Sequence, residues 1–375
     1  MEMRKHGAVS IGLALMAGAL HSSSAFAQSS VTLYGVIDVG VEHLNNTGSG
    51  AVTRETSGNL AGSRWGLKGA EDLGGGLSAI FTLEGGFSVN DGTTSQSTKG
   101  IGANAATTSR LWGRQSWVGL RKDGQQLTFG RQNTLVYDEA VLFDPMGAAP
   151  RYSPFAIDYD WTGRADNSVK YGGVFGPLSV GAMYSTRYDT GYGSEVPGAQ
   201  TTGRLFSGSL YYGSGPFAAT VLYEQRNSNT VQTDTAAERR LMAAVSYSLG
   251  NARAMLGYRF LKADAAFLPA NPVPVSPGSS AAYASLFWGG VQYRFTPALQ
   301  VTAAAYYQDV HKSASDALLG VLSADYALSK RTDVYATVGY AHNQHGSNLG
   351  VNGYGSTIAT GYDQTGVVIG LRHRF

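Results

Sequence analysis

The chain has 375 residues, with 28 Lys and Arg against 26 Asp and Glu, and no cysteine. A formal charge of +2 gives no electrostatic reason to bind nucleic acid, and no disulfide can brace the fold. Glycine (50) and tyrosine (22) are abundant, while proline (11) is too sparse for a disordered Pro/Gly chain.

Arg4 and Lys5 precede an apolar run from Ala8 to Leu20, and "SAFA" follows with Ala25 and Ala27 in a small-x-small pattern. Residues 1–27 therefore read as a secretory signal peptide, with a mature chain starting at Gln28. The run is too short for a spanning helix, and no later apolar run is long enough either.

From there the dominant period is two. In "VTLYGVIDVGV", Val31, Leu33, Ile37, Val39 and Val41 share one face, and Thr32, Tyr34, Asp38 and Glu42 the other. "SAIFTLEGGF" sets Ala79, Phe81, Leu83 and Phe87 against Ser78, Thr82 and Glu84. "LSVGAMYSTR" and "LQVTAAAYY" alternate in the same way. Such alternation predicts strands with one apolar face, and helical periodicity is absent outside the first segment. Short turns (71–76, 122–125, 213–216, 249–252, 295–298, 329–332) take turns with long polar connections (45–60, 88–107, 188–203, 227–238, 262–282, 343–361). This rhythm predicts an all-β, antiparallel up-and-down barrel of about sixteen strands. A barrel that wide cannot be filled by its own side chains, so the apolar face must point outward into lipid. Tyr211, Tyr212, Tyr247, Tyr258, Tyr293, Tyr306, Tyr307 and Tyr340 are expected in aromatic girdles.

The chain closes on "TGVVIGLRHRF". Ile369, Leu371 and Phe375 share one face, and closure of the last strand onto the first would fix the terminal aromatic.

Several stretches together resemble the general porins of Gram-negative bacteria, especially the β-proteobacterial type. They are "SSVTLYGVIDVGVEH", "SRWGLKGAEDLGGGLSAIFTLEGGF" at 63–87, "LWGRQSWVGLRKDGQQLTFGRQNTLVYDEAVLFD" at 111–144, "DNSVKYGG" at 166–173 and the closing strand. The resemblance covers essentially all of 28–375. It implies an outer-membrane channel for passive diffusion of ions and small hydrophilic solutes. It also implies a homotrimer, contact with lipopolysaccharide, and a C-terminal signature read by the barrel-assembly machinery at Ile369, Leu371 and Phe375; His373 departs from that signature. A third loop, here 132–162, would fold inward and constrict the pore. Its apolar content (Val136, Tyr137, Leu142, Phe143, Phe155) suits a segment packed against an inner wall.

By the same resemblance, Arg64, Arg114 and Arg164 would line one wall of the constriction, with Lys68 on the face of Arg64. Asp144, Asp138 and Glu84 would be the acids. The second loop acid expected after Asp144 is missing: the stretch reads "PMGAAPRY". Moderate anion preference is the expectation. The rivals are a substrate-specific anion or sugar channel and a membrane-barrel enzyme. Parity puts Trp65, Trp117 and Trp288 towards lipid, with Trp112 and Trp161 as candidates for the inside, which gives little support to an aromatic sugar path. No G-x-S-x-G occurs, the "HNQH" at 342–345 has no further ligand near it, and no cofactor is implied.

Overall fold

The structure is a computed structural model. It describes residues 29–95, 110–154, 157–158, 161, 163–267, 281–344, 346–352 and 358–375. The expected signal peptide, Phe155 and His345 lie outside the described residues.

In chain order the strands are β1 Ser30–Leu44, β2 Val52–Ser57, β3 Arg64–Gly74, β4 Leu77–Phe87, β5 Thr94–Ser95, β6 Gln115–Lys122 and β7 Gln125–Asn133. After the helix α1 Leu135–Phe143 come β8 Arg164–Phe175, β9 Leu178–Ser185, β10 Leu205–Ser214, β11 Phe217–Asn227, β12 Ala237–Leu249 and β13 Ala252–Asp264. The last five are β14 Ala281–Arg294, β15 Leu299–Val310, β16 Ala317–Ala327, β17 Thr332–Asn343 and β18 Gln364–Arg374.

They form one antiparallel sheet that closes on itself, because β18 pairs with β1 from Val36↔Arg374 to Leu44↔Gly366. The other edge of β1 is shared. β3 pairs with its first half (Ser30↔Ala70 to Val36↔Arg64) and β2 with its second (Val39↔Ser57 to Leu44↔Val52). β2 and β3 are thus one stave interrupted at 58–63. With β5 a two-residue addition beside β4, the barrel has sixteen staves, as the alternation of turns and loops requires.

The two faces differ sharply. Val31, Leu33, Val41, Val118, Leu256 and Ile369 are exposed outward, whereas Asp38, Glu42, Thr82, Glu84 and Arg259 are buried on the lumen side. A sixteen-stave lumen is too wide to fill from the wall, and the segment after β7 occupies part of it. Leu135, Val136, Ala140 and Phe143 of α1 join Ile157 and Trp161 in one core cluster with the wall residues Met183, Leu222, Met242, Trp288 and Tyr306.

Three expectations about facing are corrected. Trp288 points inward in step with Leu286, while Phe287 and Val291 are exposed outward. Trp117 pairs with Thr82 and Gly130 on the lumen face, and its neighbour Val118 pairs with Phe129 outside. Tyr211 and Tyr306 leave the girdle: Tyr211 packs on Phe143, 5.9 Å between ring centres, and Tyr306 is fully buried. Tyr212, Tyr247, Tyr293, Tyr307 and Tyr340 remain exposed outside. Trp112 packs at a tilt of 55° against Trp65, 5.0 Å between ring centres, and Trp161 is buried inside.

At the seam, the Phe375 amide donates to the Gly35 carbonyl and the Gly35 amide to the Phe375 carbonyl, both at 3.1 Å. The Phe375 ring covers Gly35, where an added Cβ would stand 2.3 Å from its Cζ and 2.7 Å from the Arg64 carbonyl. Gly35→Val should therefore destabilise the seam by about 1–3 kcal/mol through overpacking. The check is the fraction of heat-modifiable folded barrel on unboiled gels after refolding in detergent; a wild-type fraction would refute it.

Candidate functional site

Arg64, Arg114 and Arg164 line one cleft of about 160 Å³ between the barrel wall and the inserted segment. Three different local structures bring them there. Arg64 opens β3, and its Nη1 donates to the Gly62 carbonyl at 2.9 Å. Arg114 precedes β6; its amide bonds to the Glu84 carbonyl, so it reaches the lumen from outside the regular strand. Arg164 opens β8 and lies 5.4 Å from the Tyr137 ring centre.

Glu84 stands behind this cluster. Its Oε1 accepts from Arg114 Nε at 2.6 Å, and its Oε2 accepts from the Tyr34 hydroxyl at 2.9 Å and lies 3.6 Å from Arg64 Nε. One carboxylate therefore clamps two guanidinium groups and offsets one of three charges. Lys68 lies four residues after Arg64 on the same face of β3, with its Nζ 5.2 Å from the Tyr34 ring centre, and is not part of the cleft.

The rest of the lining comes from two further segments. The 58–63 break folds inward because the Asp38 carboxylate accepts from the Leu60 and Ala61 amides at 2.9 and 2.7 Å, which brings Leu60, Ala61 and Gly62 to the cleft. From the inserted segment come Tyr137 and Val141, one helical turn apart on α1, and then Gly147, Ala148 and Pro150. The Thr134 hydroxyl caps α1 by accepting from the Tyr137 amide.

The two loop acids do other work. Asp138 pairs with Lys170 of β8. Asp144 is buried and holds the turn after α1. It accepts from the Met146 amide at 3.1 Å, the Ala148 amide at 2.7 Å and the Tyr306 hydroxyl at 2.6 Å. This turn needs holding, since Ala148 has a φ of 54°, a left-handed conformation costly for a residue with a Cβ. The expectation of a constriction acid at Asp144 gives way to a structural role, because its oxygens are spent on the loop and the wall. Burial pushes its carboxyl up to about 6, despite the lowering by its three donors.

Other contacts seat the rest of the segment. Asp158 pairs with Arg240 at 3.1 Å and Arg259 at 3.5 Å. Trp161 packs edge-on against Trp288 at 4.9 Å, and the Trp288 indole donates to the Phe143 carbonyl at 2.9 Å. Gly290 lets Pro145 approach, for a Cβ there would lie 2.6 Å from its ring. Sequence reasoning did not reach Leu60, Tyr137, Val141, Pro150 or the Asp158 anchor as site residues. They sit on irregular backbone or on a helix, where strand parity carries no signal. Among the described residues no cluster of His, Cys, Asp and Glu suits a metal.

Residues 12–346 match the family model described as Gram-negative porin. Outer membrane porin protein 32 of Delftia acidovorans is 30% identical, over 97% of this chain and 99% of its own length. Among solved structures, an anion-selective porin from Comamonas acidovorans superposes with a TM-score of 0.77 at 24% identity, covering 93% of this chain and all of that one. A trimer form of OmpT, an outer membrane protein of Vibrio cholerae, gives 0.61 at 17% identity over 92% of this chain and 99% of that one.

The two carboxylates make different predictions. Glu84→Gln removes the one negative charge among the arginines and should move the zero-current potential of the channel in a salt gradient further towards the anion limit. Asp144→Asn should leave that potential nearly unchanged; a shift as large as that of Glu84→Gln would show that the Asp144 charge reaches the lumen. Because the folded chain holds the Asp144 proton up to about pH 6 and the unfolded chain only to about 4, this group's contribution to stability is present below that window and lost as pH rises through it. In denaturant unfolding, the stability difference between wild type and Asp144→Asn should change between about pH 4 and 6 and level off above.

Proposed function

The chain belongs to the Gram-negative porin family, and from that premise we propose that its channel is a moderately anion-selective pore for passive diffusion. Porins are outer-membrane channels and not enzymes, so the chemistry at issue is which solute passes. The observation that carries the anion reading is the charge of the cleft: three guanidinium groups, one carboxylate behind them, and no acid of the inserted segment among the described residues that line it. A monovalent anion about 6 Å from one full charge gains roughly 0.7 kcal/mol in water-like surroundings, so a net charge of two gives about 1.4 kcal/mol. A Debye length of about 8 Å at physiological salt removes part of this. What remains biases small ions without excluding cations, and it fades as salt rises.

The same premise extends to assembly. The reading includes a signal peptide over 1–27, a homotrimer, lipopolysaccharide against the outer face, and Ile369, Leu371 and Phe375 as a mark for the barrel-assembly machinery. Support for the last point is the position of these three side chains on the outer face of the strand that closes the barrel. For the trimer, support is the trimer form of the Vibrio cholerae relative in fold.

The test is the zero-current potential of the purified channel in a potassium chloride gradient at low ionic strength and neutral pH. Wild type should lie on the chloride side, and the double change Arg64→Ser and Arg114→Ser should move it towards potassium, with the folded barrel retained. A wild-type potential on the potassium side would overturn the reading.

A further inference from the structure

Two cations stand side by side on the lipid face of the barrel. Arg239 of β12 and Lys262 of β13 are register partners, and the same row runs from Gln225 of β11 to Tyr283 of β14. Strand parity turns the row outward, two positions from the exposed Leu241. The connections after β11 and β13 leave the barrel beside it and are long ones, so this rim is the extracellular one. Like charges directly opposite each other across a ladder repel. A single carboxylate offsets them in part: Asp264 Oδ2 accepts from Arg239 Nη1 at 3.1 Å and from the Ala237 amide at 3.0 Å, and its Oδ1 stands 4.0 Å from Lys262 Nζ. Arg239 Nε donates to Gln225 at 3.1 Å. Lys262 Nζ lies 5.9 Å from the Tyr283 ring centre and makes no hydrogen bond among the described residues. The Arg239 and Lys262 side chains are 32% and 38% exposed.

The rows nearer the membrane centre are apolar. Tyr223, Leu241 and Phe260 form the first, and Val221, Ala243 and Tyr258 the second. Paired cations at the head of an apolar strip, at the depth of the lipid headgroups, complement an anionic amphiphile. We infer that Arg239 and Lys262 form a binding site for a phosphate group of lipopolysaccharide, the glycolipid of the outer leaflet, with its acyl chains along the strip below. Arg239 Nη2 and the Lys262 ammonium are the donors, and both bonds are charge-assisted. Inorganic phosphate satisfies only the cations, because it has nothing to lay on Leu241 and Phe260. The inference rests on the lipopolysaccharide contact proposed above and gives that contact a place, on β11 to β14.

The experiment measures retention of purified rough-type lipopolysaccharide by the immobilised channel in detergent, read as the half-saturating concentration. A cation at an anionic lipid surface is worth about a factor of five. Arg239→Gln and Lys262→Gln should therefore each raise that concentration about fivefold, and the double change about 25-fold. Lys262→Gln costs no internal hydrogen bond, and the unboiled gel confirms the folded barrel for each variant. Lys122→Gln removes the same charge from the short-turn rim and should leave binding unchanged. The same glycolipid stripped of its phosphates should bind wild type as weakly as the double variant binds the intact one. Wild-type retention that both single variants share, or that Lys122→Gln lowers as much, overturns the site and leaves the lipopolysaccharide contact standing. Full displacement by an equal concentration of inorganic phosphate overturns the lipid assignment. A wild-type channel that retains no lipopolysaccharide overturns the site and the contact together.

Discussion

Everything in this structure depends on one constraint, that backbone N–H and C=O groups in hydrocarbon must be paired within the protein. The sheet has no option but to close, and the β1–β18 ladder from Val36 to Leu44 is where it does so. Closure at sixteen staves then creates the second problem. The lumen is wider than the wall's side chains can fill, so it takes in water, and the polarity of the protein inverts. Aliphatic side chains such as Leu33, Leu256 and Ile369 are exposed, and charges such as Asp38, Glu42 and Arg259 are buried.

The inserted segment answers the second problem and is itself held by that inversion. A soluble domain would pin a 30-residue excursion with a hydrophobic core alone. Here an apolar cluster around Phe143, Trp161, Trp288 and Tyr306 is combined with buried ion pairs, because the inner wall offers both. Asp158 against Arg240 and Arg259, Asp138 against Lys170, and Glu42 against Arg151 and the Tyr152 hydroxyl tie the segment at separate points. Breaking one partner of such a pair leaves the other charge stranded in a desolvated site, so these contacts specify the position of the loop more than they add net stability.

That division of labour explains the cleft. Asp138, Asp144 and Asp158 of the inserted segment are drawn to its anchors, and the segment lines the cleft with the Tyr137 and Val141 side of α1 and with Gly147, Ala148 and Pro150. The cationic wall has its own scaffold in Glu84 and Tyr34, which fix Arg64 and Arg114 in place at the expense of one unit of charge. How the loop is fastened therefore decides which of its side chains line the cleft beside these charges.

By itself, the sequence determined the barrel. Period-two alternation, the spacing of turns and the closing strand on Phe375 sufficed for the all-β class, about sixteen staves and the outward apolar face, because these are local properties of strands in lipid. It also contained Arg64, Arg114 and Arg164, through motifs at the beginnings of β3, β6 and β8. Only the tertiary structure decided what those residues face. Trp117 and Trp288 are expected towards lipid from the sequence yet lie on the lumen side, and the Trp288 ring is met there by Trp161 of the inserted segment. Asp144 has the place of a pore acid, yet a tyrosine 162 residues later in the chain, together with the backbone of its own turn, takes its oxygens. Such contacts join segments distant in sequence across a closed barrel, and no local period or spacing encodes them.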